Sequence, residues 1–173
     1  MTKFTFFYFT DYEDGKMARL ETKGEWEIPV NIFIDNAAEL AGMTEGPCSV
    51  DVCGVGSNVE IFASEEEYRA SGSGMDVLSM IPIGTFPADK EDKDFEESPH
   101  ILFTGKVRAV EWNPAAEEEA PNGCLWVETL GLELKLYVRY EGPIEPGYLV
   151  HGVAWLFGDM VMGREEFGTG KDN

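Results

Sequence analysis

The side chains with the greatest capacity for chemistry are three cysteines and two histidines: Cys48, Cys53, Cys124, His100 and His151. Thiolate and imidazole groups form structural zinc sites when they occur as two close pairs. Cys48 and Cys53 are separated by four residues, and the other three residues form no second close pair. The spacing therefore predicts no metal site. The odd number of cysteines predicts reduced thiols rather than a disulfide framework.

The same residues suggest no particular nucleophile. The sequence has no G-x-S-x-G motif, and the spacing singles out no cysteine–histidine pair. His151 lies in the apolar segment YLVHGVAWLFG, which favours a neutral histidine with a satisfied hydrogen bond in or near the core. His100 follows a proline at the start of a predicted strand, so we expect it to be half-exposed. The sequence predicts no catalytic residue.

Loops that bind phosphate or calcium are not found either. The stretch GVGSNV at 54–59 lacks the last glycine of a dinucleotide motif and is followed by a predicted strand rather than a helix. The stretch FTGK at 103–106 lacks the upstream loop of a Walker A motif. In the acidic stretch 89–97, a calcium-binding loop that begins at Asp89 would have Lys93 where a ligand is required and Asp94 where a glycine is required. We therefore predict no cofactor.

Aromatic side chains provide the remaining binding chemistry. The chain has four tryptophans and a phenylalanine-rich stretch at residues 4–9. Such side chains usually pack in a core, but an exposed tryptophan beside a concave surface can stack on a ligand. The candidate binding residues are Trp112, Trp126 and His151.

The charge of the chain restricts its partners. There are 13 basic and 33 acidic residues, which give a formal net charge of −20. Nucleic acids and anionic lipid surfaces bind lysine and arginine, and Lys106 with Arg108 is the nearest approach to a basic patch. We therefore predict no nucleic-acid partner and no membrane partner. Beyond solubility, the acidity favours a basic protein as the partner.

The N-terminal segment and the hydropathy pattern predict the compartment. No run approaches the roughly 18 apolar residues that a membrane span needs. The apolar stretch at the N-terminus is short and is followed by acidic residues, unlike a signal peptide. These features lead us to expect a cytoplasmic protein.

Most of the N-terminal half predicts β-strands. The segments 3–9, 17–23 and 26–34 are rich in residues that favour strands, and Pro29 places the last of them at a sheet edge or near a bulge. Residues 56–58 resemble a hairpin turn between two strands.

Two short helices and one long loop interrupt these strands. The helices are predicted near 36–42 and 65–70, and Ser64 and Glu67 have the spacing of a capping box for the second. The acidic segment 87–98 is predicted to be a solvated loop.

The C-terminal half has the clearest alternation. In the strand predicted at 101–112, alternate residues share a face, with Ile101, Phe103, Gly105, Val107 and Ala109 on one side and Thr104, Lys106 and Arg108 on the other. Gly131 supplies the turn between two further strands. Segment 148–158 is apolar on both faces, which predicts a central strand covered on both sides.

These elements predict a mainly β protein, either a small barrel with an OB-like C-terminal part or a β-sandwich. The OB-like interpretation rests on a long strand with an internal glycine, a tight hairpin and a glycine-containing closing strand. Segment 141–147 is too short for the helix that this pattern places before its fourth strand. We predict a β-rich N-terminal part at 1–88 that includes both short helices, an OB-like part at 99–163 packed with it as one domain, and a flexible tail at 164–173.

Three functions agree with these observations. The leading hypothesis is a non-catalytic interaction module for a basic protein, because high acidity accompanies a lack of catalytic motifs. The second is a hydrolase-type enzyme with an unrecognised site. The third is a binder of a small ligand or oligosaccharide that uses exposed tryptophan. The oligomeric state stays open.

Overall fold

The computed structural model describes residues 1–87, 89–114 and 116–163. Strands account for 53% of the described residues and helices for 6%, so the prediction of a mainly β protein is confirmed. The flexible tail predicted at 164–173 lies outside the described residues.

Among the described residues, nine strands form one hydrogen-bonded sheet. Their bounds are β1 Thr2–Tyr12, β2 Gly15–Thr22, β3 Pro29–Ile34, β4 Gly46–Phe62, β5 Ser79–Ile81, β6 His100–Trp112, β7 Gly123–Thr129, β8 Leu132–Val138 and β9 Leu149–Met162. The strand order is β1-β2-β3-β9-β4-β8-β7-β6-β5, and further pairings join β1 to β4 and β9 to β6.

Tertiary contacts divide the chain into two compact units. Among the described residues, the first unit comprises 1–52, 82–100 and 156–163, and the second comprises 53–81 and 101–155. Strands β4 and β9 therefore contribute residues to both units. The sequence-based division into parts 1–88 and 99–163, packed together as one domain, stays a prediction.

The first unit is built on antiparallel pairing of β1 with β2 and of β2 with β3. Strand β3 then runs parallel to β9, with Ile34 opposite Gly158, and β1 also pairs with the start of β4. Apolar side chains that alternate along these strands form the core of the unit, including the fully buried Phe4, Phe6, Leu20, Ile32 and Val50.

Pro29 occupies the first position of β3, opposite Glu21. A first strand position tolerates proline, because the missing N–H removes little of the ladder there. Strand β3 lies between β2 and β9, so it is an interior strand and the expected edge position is wrong.

The acidic loop at 87–98 is anchored at its end rather than wholly solvated. Glu97 forms an ion pair with Arg19 of β2 and accepts a hydrogen bond from Asn31 Nδ2 of β3 at 3.2 Å. The same amide donates to the carbonyl of Gly84 at 3.3 Å, and Asn31 is 2% exposed. A buried amide with these partners holds the C-terminal end of the loop, and Gly84 upstream of the loop, on the strands.

The second unit contains the antiparallel run β6, β7 and β8, and β4 lies parallel to β8 with Cys53 opposite Lys135. Gly131 has a φ of 81° between β7 and β8, so the turn predicted there is confirmed. The core of this unit is again apolar and includes the fully buried Phe103, Leu125, Leu136, Val150 and Ala154.

Strand β4 corrects the hairpin expected at 56–58, because it continues for 17 residues through this segment. Asn58 has a φ of 51°, and a Cβ on Gly56 would lie 2.7 Å from Cγ2 of Val59. A single residue in the left-handed region gives a local irregularity within a strand rather than a chain reversal. The prediction of two strands joined by a turn is therefore wrong.

The helical segments agree with the sequence. Helix α1 spans Glu65–Ala70, and Ser64 Oγ accepts a hydrogen bond from the Glu67 amide at 3.1 Å. The Glu67 carboxylate accepts one from the amide of Ala63 at 2.8 Å, the residue before the cap, so both side chains of the pair bind the backbone at the start of the helix. The other predicted helix is a single 3-10 turn at Ala37–Leu40. No helix of the described part has the length and apolar character that crossing a membrane requires.

Strand β6 follows the predicted alternation only up to Val107. A register shift between Val107 and Ala109 turns Ala109 to the exposed side, contrary to expectation. Thr104 was expected on the outer face but is fully buried. Gly105 marks a close approach of strands, because a Cβ there would lie 2.7 Å from the carbonyl oxygen of Glu128.

Strand β9 is interior, as predicted, since it lies between β3 and β4. Its residues alternate between buried and partly exposed positions along most of its length. One face is therefore closed and the other half-open, so the expectation of complete cover on both faces is wrong.

The carboxyl groups of Asp35 and Asp159 lead to a pH prediction. Burial, and then the charge of Asp159, raise the pKa of Asp35 above its ordinary value. The ionised form is thus disfavoured in the folded state, and the native protein gains stability from this group as the pH falls through the raised pKa. We expect Asp35→Asn to raise the melting temperature at about pH 7, with a benefit that vanishes by about pH 4.

Calorimetry of the variant at both pH values measures this effect. Asp11→Asn is the control with the opposite sign, because the hydrogen bond from Lys16 and its charge lower the pKa of Asp11. That variant should be no more stable than the unmodified protein at neutral pH. Equal stabilisation by both substitutions would contradict the assignment to Asp35.

Candidate functional site

An aromatic-lined depression in the second unit is the best candidate for a binding site. It is lined by Trp112, Pro114, Asn122, Tyr140, Glu141 and Gly142 and has a volume of about 310 Å³. We call it the Trp112–Tyr140 pocket. Trp112 ends β6 and is 39% exposed, and Tyr140 lies just after β8. The volume is at the lower end of the range for ligand sites, about 300–1,000 Å³.

Two glycines make room for the aromatic rings. A Cβ on Gly123, which is paired with Trp112 across β6 and β7, would lie 2.7 Å from Cζ3 of the indole. A Cβ on Gly142 would lie 2.9 Å from Cε2 of Tyr140. Each ring therefore lies against bare backbone, and any larger residue at these two positions would displace it.

Hydrogen bonds fix the backbone that carries Tyr140. The side-chain amide of Asn122 donates to the Tyr140 carbonyl at 3.0 Å and accepts from the Tyr140 amide at 3.0 Å. Arg139 Nη1 donates to the carbonyls of Glu117 and Ala120 at 3.1 and 2.9 Å. These bonds hold the segment after β8 against the loop that joins β6 and β7, so the pocket is preformed.

The surroundings of the pocket are acidic. Exposed carboxylates lie on its lining and on the two chain segments that form it, at Glu111, Glu117, Glu118, Glu119, Glu141 and Glu145. Among the described residues of these two segments, 111–114 with 116–122 and 139–145, the cation is Arg139. Its Nη2 lies 3.7 Å from Oε2 of Glu141. Two aromatic rings and a carboxylate in an acidic field favour a cationic guest over an anionic one.

Trp126 lies elsewhere in the same unit. It is half-buried on β7, opposite Ala109 of β6 and Lys135 of β8. It does not line the Trp112–Tyr140 pocket. The structure therefore places the two candidate tryptophans apart.

The thiol of Cys124 is poorly suited to nucleophilic chemistry. Burial raises its pKa, and the charge of Glu111 raises it further, against a smaller lowering by Tyr137 and Lys135. Burial likewise raises the pKa of the Tyr137 hydroxyl. A thiol with a raised pKa stays protonated at neutral pH and reacts slowly. Within the described residues, no group of three or more metal-ligating side chains could hold a metal ion.

His151 belongs to a chain of hydroxyl groups. Its Nδ1 lies 2.7 Å from Thr104 Oγ1, which lies 2.8 Å from the hydroxyl of Tyr68. Ser73 Oγ donates to that hydroxyl at 2.6 Å. If each hydroxyl donates onward in the same direction, His151 accepts at Nδ1 as a neutral imidazole. His151 is half-buried, in agreement with the sequence-based expectation of a hydrogen-bonded histidine near the core.

The distance between His151 Nδ1 and Thr104 Oγ1 would suit a general base beside a nucleophile, but their surroundings do not. Thr104 is 0% exposed, so a substrate carbonyl cannot approach its oxygen. The partner of His151 here is a hydroxyl rather than a carboxylate or thiol. His100 lies 2.8 Å from Ser98 Oγ, and burial lowers its pKa, which favours the neutral form. These geometries favour structural roles for both histidines.

Of the three candidate binding residues, Trp112 lines the pocket, and Trp126 and His151 do not. Sequence reasoning missed Tyr140, Asn122 and Glu141. The missed signal is the pairing of Trp112 with Gly123, since a glycine opposite a tryptophan leaves space for its ring.

The fold and the site define a mainly β protein with an aromatic-lined, acidic pocket. Comparison with family models, curated proteins and solved structures finds no match. Its function is therefore argued from the site.

Proposed function

We propose that the chain is a non-catalytic interaction module that binds a basic protein partner through the end of the second unit that carries the Trp112–Tyr140 pocket. The observation that carries this proposal is the conjunction of the exposed ring of Trp112 and the half-buried ring of Tyr140 with the carboxylates of the segments 116–120 and 139–145. Aromatic anchors with a complementary charged rim are typical of protein interfaces. We also propose a cytoplasmic location, where its cysteine thiols stay reduced.

We further propose that both units are small closed barrels of OB-like type. The pairings β1–β2, β2–β3, β3–β9, β9–β4 and β1–β4 support closure of the first unit, and β6–β7, β7–β8, β4–β8, β9–β4 and β9–β6 support closure of the second. In such barrels the loops between strands often contribute to ligand binding. The loop between β6 and β7 supplies Pro114 to the pocket.

A second candidate function is the binding of a small ligand or oligosaccharide in the same pocket, and the exposed ring of Trp112 favours it. We consider this function second to the binding of a basic protein, because the pocket has acidic surroundings. A hydrolase-type activity has weaker support, because Thr104 is sealed and the pKa of the Cys124 thiol is raised.

The test is titration calorimetry with an arginine- and lysine-rich peptide, first at about 50 mM and then at about 500 mM salt. We expect binding at low salt that weakens as salt rises. Reversing three charges in the variant Glu117→Lys, Glu118→Lys, Glu119→Lys should weaken binding at low salt by about tenfold or more, because like charges then face the peptide.

The matched control reverses three exposed charges of the first unit, in the variant Glu91→Lys, Asp94→Lys, Glu96→Lys. Both variants change the net charge by the same amount, so a surface-specific interaction survives only in the control. Equal losses in the two variants would reduce the interaction to nonspecific attraction. A peptide that does not bind the unmodified protein at low salt would refute the proposal.

A further inference from the structure

We propose that the Trp112–Tyr140 pocket receives the guanidinium group of an arginine side chain on the partner. This inference rests on the proposed function and narrows it to one chemical group.

The walls supply two aromatic surfaces whose positions are fixed. The ring of Trp112 packs against the backbone of Gly123, and the ring of Tyr140 packs against the backbone of Gly142. Neither ring can therefore move further in that direction. A cation placed over an aromatic face is attracted by the ring, most strongly for tryptophan. Pro114 adds apolar surface that can cover the methylene stem of a long cationic side chain.

The carboxylate of Glu141 supplies the counter-charge. Its side chain is 83% exposed and its oxygen lies 3.7 Å from Arg139 Nη2. Arg139 directs its other terminal nitrogen to two backbone carbonyls, so it does not depend on Glu141 for its position. An exposed pair of this kind contributes little, and Glu141 can exchange it for an incoming cation at small cost.

Arginine fits these surroundings better than lysine. A guanidinium is planar, stacks on aromatic rings and is more weakly hydrated than an ammonium, so it loses less on entering an apolar depression. It can also form two parallel hydrogen bonds with one carboxylate.

An oligosaccharide fits less well. A stacked sugar needs polar side chains for its hydroxyls, and both polar ends of the Asn122 amide already bind the backbone of Tyr140. The other polar groups of the lining are the Glu141 carboxylate, the Tyr140 hydroxyl and the indole N–H of Trp112, a small set for the many hydroxyls of a sugar. The pocket therefore offers stacking and one negative charge, which matches a guanidinium.

The experiment compares two peptides of equal length and charge, one of alternating arginine and glycine and the other of alternating lysine and glycine. Calorimetry at low salt should show the arginine peptide binding about fivefold more tightly than the lysine peptide. Trp112→Ala should weaken the arginine peptide by about five- to tenfold and remove the preference. Glu141→Gln, a surface substitution that spares the fold, should also weaken the arginine peptide.

Trp26→Ala is the matched control, because Trp26 is 61% exposed and belongs to the first unit. It should leave both affinities unchanged. If both peptides bind but neither Trp112→Ala nor Glu141→Gln alters the affinity, this inference fails and the interaction module stands. If no peptide binds, and a chito-oligosaccharide binds only while Trp112 is present, both the inference and the proposed function fail.

Discussion

Gly158→Ala is expected to destabilise the protein by about 3 kcal/mol or more, since overpacking against backbone costs at least the upper part of the usual range. A Cβ on Gly158 would lie closer than 3.0 Å to the carbonyl oxygen of Asp51, a separation that real Cβ atoms essentially never show. It would also lie 3.3 Å from Cγ1 of the buried Val50.

The obstruction is backbone, and neither strand can easily move away. Asp51 lies within β4, and the carbonyl of Gly158 accepts a hydrogen bond from the Asp35 amide at 2.9 Å. Because β9 lies between β3 and β4, moving it away from β4 would disturb that bond and the pairing of Ile34 with Gly158. A loss of this size is a large part of the stability of a typical domain, about 5–15 kcal/mol.

Urea denaturation of the variant measures the effect as a shift in midpoint at constant slope. Gly46→Ala is the control on β4, the strand that carries Asp51, because its Cβ would meet its nearest neighbour, the Thr44 carbonyl oxygen, at 4.0 Å. We expect that variant to be neutral or slightly stabilised through its unfolded state. Similar midpoints for the two variants would show that β4 and β9 are not in close contact at Gly158.

Local patterns in the sequence were sufficient for much of the secondary structure. Ser64 and Glu67 predicted the helix cap, and Gly131 predicted a turn, because each signal depends on residues within one turn of chain. The hairpin predicted at 56–58 is wrong, because glycine and asparagine occur in irregularities within a strand as well as in chain reversals. Pairing partners far along the chain decide between the two, and one sequence does not reveal them.

The candidate site was harder to predict for the same reason. Trp112 was identified by its type, but its partner Gly123 depends on the register of β6 and β7, which shifts between Val107 and Ala109. Thr104 was placed on an outer face by simple alternation, whereas long-range contacts with Tyr68 and His151 bury it. Alternation predicts the two faces of a strand but not what covers each face.

Tyr68→Ala is expected to destabilise the protein by about 3–5 kcal/mol, the cost of removing a buried aromatic ring. Tyr68 is 0% exposed although it lies on a helix of only six residues. Its ring centroid is 5.3 Å from that of Phe62 and 6.0 Å from that of His151. The substitution would leave a cavity between α1 and the strands that these residues come from.

Tyr68→Phe separates the contribution of the ring from that of the hydroxyl. It keeps the packing and removes the partner of Thr104 and Ser73, so we expect a loss of about 1 kcal/mol, with Thr104 still bonded to His151. Thr104→Val removes the central hydroxyl instead and leaves His151 Nδ1 without that partner. A double-mutant cycle of Tyr68→Phe and Thr104→Val by urea denaturation then gives the coupling between them.

The cycle also decides between a structural and a catalytic interpretation of the hydroxyl chain. If the chain is structural, the two substitutions couple in stability, and the low-salt affinity for the arginine peptide stays unchanged, because the Trp112–Tyr140 pocket is formed by other residues. If the chain serves a hidden active site, the single variants should cost little stability or even raise it, since groups held for function are often unfavourable for folding. Stabilisation by Thr104→Val would therefore return the hydrolase hypothesis to consideration, with His151 as its base.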